Sequence, residues 1–424
     1  MLGGVKSFIL PYYSARRWFV AFSGGLDSCV LLHLLSQLDD TPPITAVYVH
    51  HGLQQAADDW QEHCQTMAED LGVDFTAIKV SVDTSGNIEE HAREARYQAF
   101  TDLLTENDCI FVGHHGDDQA ETFLYRLMRG AGLRGLAAMP KSRPLGQGTL
   151  VRPLLEVPLE QLEAYAKQQQ LSFVHDPSND EDHYDRNYLR HRVLPTLAKR
   201  WPAMPSSIAR SVAHLREAQV LLDELAAEDC QTYASTQHQL ACFQLSQWQN
   251  LSAARQSNVL RYWLHQHDVL LSSKQYQQLV SDVIGAKADA TPLLMLENKV
   301  IRRYQQTLYI CPKQEPHEFI PQQWHTIKPL TLEGIGTFAL DKPCDVTLSV
   351  RQRQGGEQIR LANAKQHKKL KHALQEAQIP PWLRDQLPLF YYEEQLIAVA
   401  DMLLADKAAE LLQGARIVRL NNEK

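Results

Sequence analysis

Two short stretches combine carboxylates with glycine or histidine in patterns suited to phosphate and ammonium chemistry. The first is Ser23-Gly24-Gly25-Leu26-Asp27-Ser28, which joins an apolar run to a helical pattern. Its glycine pair lets the backbone turn tightly and approach an anion. The first N–H groups of the next helix then point at that anion, with the helix dipole behind them. No Gly-Lys-Ser/Thr follows, so this is not the loop of kinases and GTPases. Asp27 would repel bound phosphates unless a cation stood between them, which marks it as a ligand for Mg2+. The plainer alternative is a helix start capped by Ser23 or Asp27, with no ligand. The second stretch, "GHHGDDQAETFLYRLMRG" (113–130), sets His114, His115, Asp117, Asp118 and Glu121 where an apolar strand pattern gives way to a helix. Asp118 and Glu121 stand i and i+3, so they share a helix face and can hold an ammonium ion or a metal. An acid-rich first turn that favours its own dipole is the alternative.

Other residues could complete such a site. "YVHHGL" (48–53) ends a strand pattern in His50 and His51, placed either beside an adenosine or simply as core or surface histidines. Arg93 and Arg96 fall on one helical face, which is either solvated or able to hold an α-phosphate. Gly130, Gly132 and Gly135 spell a literal GxGxxG, but they follow a helix rather than a strand, so the dinucleotide fingerprint fails its context test and a loop near the site is expected. Two basic stretches stand out. Residues 186–200, with Arg186, Arg190 and Arg192, carry five basic residues and no acid, and residues 360–384, with Lys368, Lys369, Lys371 and Arg384, carry six against the single acid Glu376. Clustering of this kind suits contacts to an RNA backbone.

The elements that must position these residues alternate. Strand patterns at 16–22, 44–50, 75–82 and 109–115 are interleaved with helical patterns at 27–38, 56–71, 87–104 and 117–130, with Asn87 as a candidate N-cap. This predicts an α/β fold: a Rossmann-like parallel sheet with helices on both faces. Beyond about residue 200 the alternation stops. A long amphipathic helix is expected at 206–229, more helix through 248–282, a strand pair near 293–311, a proline-bearing linker at 312–325, and then short strands with one basic helix near 365–378. The domains expected are 1–204, catalytic; 205–312, mainly helical; and 326–424, small and α+β.

Bulk properties narrow the class. A chain of 424 residues suits two or three domains. The net charge of -8 argues against wholesale nucleic-acid coating, so the two basic stretches matter locally. The seven cysteines form no CxxC pair, which gives a zinc ribbon or iron–sulfur site no basis. Scattered cysteines, with no leader pattern or membrane span, suggest a soluble cytoplasmic protein.

The segment Ser23–Ser28 resembles the PP-loop of N-type ATP pyrophosphatases, in which the loop holds the pyrophosphate end of ATP while the α-phosphate is attacked. SGGLDS (23–28), HHGL (50–53), EARYQAF (94–100), GHHGDDQAET (113–122), DPSN…DRNYLRHRVLP (176–195) and the C-terminal "RQGGEQIRL…KKLKHALQEAQIPPWLRDQLPLFY" (353–391) together resemble the tRNA(Ile)-lysidine synthetase family. That resemblance implies ATP bound by Ser23, Gly24, Gly25, Leu26, Asp27, Ser28, His50 and His114. It implies Mg2+ at Asp27, lysine held by Asp118 and Glu121, and catalysis by Asp27, Asp118, Glu121 and Arg96, with the choice between Arg93 and Arg96 at the α-phosphate open. It also implies a tRNA(Ile) with a CAU anticodon, contacted through Arg186, Arg190, Arg192, Lys368, Lys369, Lys371 and Arg384. No membrane is implied, and a homodimer is left open. The rival readings are another PP-loop enzyme, either a tRNA thiolase or an adenylating amide synthetase, and a non-catalytic nucleotide-sensing RNA binder.

Overall fold

Alternate residues of the first strands face opposite ways, and both sets are apolar. That pattern forces a sheet covered on both faces. The computed structural model describes residues 2–420 apart from 53–56, 84, 86–87, 178–183, 288–289, 314–318, 363 and 365. In chain order its first part runs α1 (Leu2–Ile9), β1 (Trp18–Ala21), α2 (Leu26–Ser36), β2 (Ile44–His50), α3 (Ala57–Asp70), β3 (Asp74–Lys79), α4 (Ile88–Leu103), β4 (Cys109–Phe111), α5 (Gly116–Met128), β5 (Ser142–Leu145), β6 (Gly148–Val151) and α6 (Leu159–Gln168). Trp18, Val20, Cys109 and Phe111 enter a core with Val30, Leu31, Leu34 and Leu35 of α2, Met67 of α3 and Leu162 of α6. Phe19, Val47, Ile110 and Leu150 enter a second core with Phe100 of α4.

The sheet order is β3-β2-β1-β4-β6-β5. Strand β1 pairs in parallel with β2 and with β4, and β4 pairs in parallel with β6. The edge strand β5 runs antiparallel to β6, so the sheet is not wholly parallel, and this hairpin was absent from the sequence expectation. The chain leaves β1 in one direction and returns at β4 on its other side. The crevice at the C-terminal ends of β1 and β4 is therefore the topological switch point, where open α/β sheets bind ligands. Both chemistry-bearing stretches begin there.

Contacts divide the chain into two units, Met1–Leu225 and Ala226–Lys424, with the division inside the helix α7 (Met204–Tyr233). The second unit holds two large cores, one running from Tyr233 to Ile310 and the other from Trp324 to Ile417, and a small cluster of Cys242, Tyr309 and Cys311. The first combines helices, including Ala253–Gln266, with a five-stranded antiparallel sheet. Two of its strands, Ala234–Gln237 and Leu240–Gln244, were not expected from the sequence. The expected basic helix is shorter than its pattern: Leu370–Glu376 is helical, while Lys368–Lys369 pairs as a short strand with Gln358–Ile359. Strand Gln322–His325 lies in the stretch expected to be linker. Asn87, the candidate cap of α4, lies outside the described residues, as do Ser178 and Asn179. No helix among the described residues is long and apolar enough to cross a membrane.

Candidate nucleotide and amine site

The loop after β1 closes on itself through its own polar groups. Ser28 Oγ donates to the Gly25 carbonyl at 2.9 Å, and Ser23 N donates to Ser28 Oγ at 3.3 Å. Gly24 has φ +79, and a Cβ there would stand 2.9 Å from Cys64 Sγ and 3.0 Å from Val174. Only glycine fits this bend. Gly25 then opens α2 with no side chain capping it, so the first N–H groups of α2 are left for another acceptor. Gly113, at the end of β4, lets the second stretch approach closely: a Cβ there would lie 3.1 Å from the Asp27 carbonyl and 3.2 Å from Ser28 N.

His115 ties the two stretches together. Its Nδ1 accepts from Asp117 N at 3.3 Å, and its backbone N–H donates to Asp118 Oδ2 at 3.0 Å, a reciprocal cap on α5. With Nδ1 accepting, the ring proton sits on Nε2, which lies 3.5 Å from Asp118 and 3.7 Å from Asp27. Burial pushes the Asp27 carboxyl up to about 6, and the neighbouring charges of His115, Asp118 and Arg190 modify that. Its Oδ1 is buried with no hydrogen-bond partner among the described residues. An orphaned carboxylate oxygen is a ligand that suits Mg2+ when substrate phosphates and water complete its shell, and the free N–H groups at the start of α2 suit the phosphates themselves. No group of three or more His, Cys, Asp and Glu side chains among the described residues forms a closed metal cage.

The carboxylate pair already grips a cation from within the chain. Arg190 Nε lies 2.6 Å from Glu121 Oε1, and its Nη2 lies 3.0 Å from Glu121 Oε2 and 3.1 Å from Asp118 Oδ1. This two-pronged geometry is that of an ionised carboxylate on a guanidinium. Burial raises Glu121 despite Arg190. For Asp118 burial acts the same way but is outweighed by His115, His114 and Arg190, which hold its carboxyl below the usual range. Arg190, expected from sequence to touch tRNA, is held by the Asp118 and Glu121 carboxylates in this structure.

The histidines separate in role. His50 is spent: Gly52 N donates to its Nδ1 at 3.1 Å, and Asp58 lies 3.1 Å from its Nε2. His51 and His114 instead each bury an Nδ1 with no partner among the described residues. Burial, then the charges of Arg96 and His50, lowers His51 to about 4. Burial likewise drives His114 far below the usual range. Arg96 stands exposed on α4, and its charge acts on both rings. Buried polar atoms without partners are costly, and here they stand at the strand ends where a nucleotide would bind. Sequence spacing alone could not choose between His50 and His51.

The remaining expected residues scatter. Arg192, Lys369 and Lys371 are exposed, and Lys368 pairs with Glu376. The Arg186 guanidinium lies 5.9 Å from the Tyr125 ring centre. Arg384 corrects the expectation of a tRNA contact. It is 9% exposed, donates to the Ile379 carbonyl at 2.8 Å and to Tyr304 Oη at 3.0 Å, and so serves packing. The GxGxxG segment is a helix stop and restart: Gly130 has φ +69 after α5, and Gly132 precedes the short helix Leu133–Leu136. The cysteines near the site are buried, with Cys109 pushed up to about 11 and Cys64 to about 12 by burial, and Cys29 higher still. None is a ready thiolate.

Comparison with known proteins agrees with this layout. Residues 4–197 match the PP-loop domain, residues 243–309 the TilS substrate binding domain and residues 348–420 the TilS substrate C-terminal domain. The tRNA(Ile)-lysidine synthase of Pseudomonas aeruginosa is 44% identical, covering 95% of this chain and 93% of its own length. That of Pseudomonas syringae pv. tomato is 43% identical over 93% of this chain and 90% of its own, and that of Coxiella burnetii 40% over 94% and 92%. Among solved structures, the U34-tRNA thiolase NcsA from Methanococcus maripaludis is similar over 51% of this chain and 78% of its own, at 18% identity and TM-score 0.43. With its loop, carboxylate pair and substrate-domain matches in place along the whole length, the chain belongs to the tRNA(Ile)-lysidine synthase family.

Proposed function

We propose that this chain joins free L-lysine to the wobble cytidine of a tRNA(Ile) bearing a CAU anticodon, using ATP and releasing AMP and diphosphate. The observation that carries this function is the buried Asp118–Glu121 pair, which holds a guanidinium and stands 3.5 Å (Asp118) from the same His115 that faces Asp27. An amine site thus adjoins a nucleotide loop.

In the first step the ring carbonyl oxygen of cytosine attacks the α-phosphate, and the oxygen–phosphorus bond to the diphosphate breaks. The α2 N–H groups and the Ser23–Ser28 loop hold the departing diphosphate. Asp27 would hold Mg2+, which would supply positive charge to that leaving group. In the second step the ε-amine of lysine, having lost a proton, attacks the activated ring carbon and AMP departs. Asp118 and Glu121 hold an ammonium group of lysine, and Arg190 either yields to it or pairs with the lysine carboxylate. His51, His114 and Arg96 line the nucleotide side. The target base lies in an anticodon loop, where it is splayed out at little cost.

The thiolase alternative lacks a suitable nucleophile, because Cys29, Cys64 and Cys109 are buried and held as thiols. The test is incubation with labelled lysine, ATP and bulk tRNA, followed by nucleoside analysis. Label in a modified cytidine that depends on ATP supports the function, and its absence refutes it.

A further inference from the structure

Five arginines of the first unit stand at the rings of Tyr97 and Tyr125 or against carbonyls near them, while Asp83 and Glu94 line a pocket with Tyr97 but pair with none of the five among the described residues. Arg93 Nη2 lies 3.5 Å from Tyr97 Oη, and its guanidinium carbon lies 4.9 Å from the ring centre. Arg143 approaches the same ring at 5.2 Å, and the charge of Arg152 acts on the same phenol. Arg186 stacks near Tyr125, while Arg126 donates to the carbonyls of Gly135 at 2.9 Å and Ala138 at 3.0 Å. None of the five forms an ion pair with a carboxylate among the described residues. Arg152 is only 3% exposed and donates through Nη1 to the Pro140 carbonyl at 2.9 Å, but its Nε has no partner among the described residues.

Guanidinium groups held this close repel one another. Burial, then the charges of Arg186 and Arg93, pulls Arg126 down. Burial again, then Arg143 and Arg93, pulls Arg152 down, although Tyr97 acts the other way. Tyr97 is half-buried, which alone would raise its phenol, yet Arg93, Arg152 and Arg143 hold it below its ordinary value. A protein that keeps such a cluster has an unmet need for an anion.

We propose that Arg93, Arg143 and Arg152 around Tyr97, flanked by Arg126 and Arg186, form a seat for a phosphate group, and that its occupant is a backbone phosphodiester of the bound RNA. Planar guanidinium forks match phosphate oxygens, and interleaved phenols offer faces for unstacked bases. ATP is the other source of phosphate. Arg152 and Arg93 act on His114 at the end of β4, so the arms of the test separate the two sources. A phosphodiester of RNA is favoured because Tyr97 and Tyr125, with guanidinium groups 4.9 to 5.9 Å from their ring centres, offer faces to unstacked bases. The identity of the RNA rests on the lysidine-forming function; the phosphate chemistry does not.

The test uses the full chain carrying Arg143→Gln and Arg186→Gln together, chosen because both side chains are partly exposed and neither is a candidate for holding ATP. Binding of tRNA without ATP or lysine is titrated at several salt concentrations, and Mg-ATP binding is measured separately by calorimetry. Affinity for tRNA is expected to fall about tenfold near ~0.1 M salt, with the log–log salt slope shallower by about one to two. Mg-ATP affinity is expected to stay unchanged. Unaltered tRNA affinity and slope in a variant with the parent's melting temperature overturns the seat. Loss of Mg-ATP affinity alone overturns the RNA as its source and gives the seat to the nucleotide. Arg143→Lys with Arg186→Lys keeps the charge and guards against misfolding: it should retain the parent's slope, and a slope as shallow as that of the glutamine pair overturns the electrostatic basis. Because lysine transfer is not read here, a chain that binds tRNA through these residues but makes no lysidine sinks the proposed function and leaves the seat standing.

Discussion

At the residue scale the site is a balance of buried charges, and each can be removed singly. Glu121→Gln weakens the grip on an ammonium, so lysine KM should rise about 10- to 100-fold, the range of one charge-assisted hydrogen bond, while tRNA-dependent pyrophosphate release persists. An unchanged KM would take Glu121 out of lysine recognition. Asp27→Asn should abolish pyrophosphate release and leave tRNA affinity intact, which a pyrophosphate assay beside a filter-binding titration reads directly. Asp118 and Glu121 were visible in the sequence because i,i+3 spacing puts two acids on one helix face. Their partner was not: Arg190 lies 69 residues beyond Glu121, in a stretch whose basic character pointed to RNA. His50 and His51 are adjacent, and only the orphaned Nδ1 of His51 tells them apart.

At the element scale the close approach of β4 to the loop after β1 is the critical contact. Gly113→Ala would place a methyl 3.1 Å from the Asp27 carbonyl, against backbone that cannot swing aside. ATP affinity should drop several-fold with little loss of tRNA affinity, checked by calorimetry with Mg-ATP; unchanged ATP affinity would show that the loop tolerates the shift. The strands and helices that build this crevice were legible because Trp18–Ala21 is apolar throughout, Ile44–His50 is mostly apolar, and the helix between them carries spaced leucines. Two hairpins were not. The β5–β6 pair hides in "SRPLGQGTLV", where Pro144 and short strands mask the pattern. Ala234–Gln244 turns through His238 (φ 53) and Gln239 (φ 63), both in the left-handed region, where Asn and Gly are the usual signal.

At the scale of the whole molecule, acid sensitivity follows from the buried histidines. His51 and His114 are neutral in the folded chain, with pKa values lowered from 6.5, while the unfolded chain takes up protons near that value. Stability is therefore lost as pH falls below about 6.5. Asp27, raised from 3.8 to about 6, and Glu121, also raised by burial, act in the opposite sense, but His33, His238 and His267, lowered by burial as well, add to the histidine side. The melting temperature should fall between pH 7 and pH 5.5, and the fall should be shallower in His114→Gln; an equal slope in the variant would show that this ring does not carry the effect. The basic residues of the second unit differ among themselves. Neutralising Lys369 and Lys371, both exposed, should weaken tRNA binding and flatten its salt dependence, whereas Arg384→Ala should lower the melting temperature. Charge clustering in the sequence located this basic region but could not tell an exposed lysine from an arginine spent on Tyr304.

The most direct measurement of the central claim follows labelled lysine into tRNA by nucleoside analysis, with ATP present or omitted. Labelled lysidine at a CAU anticodon, formed only with ATP and accompanied by equal AMP and diphosphate, is the predicted result. ATP turnover with no label in RNA, or label reaching a nucleoside other than the wobble cytidine, would contradict it.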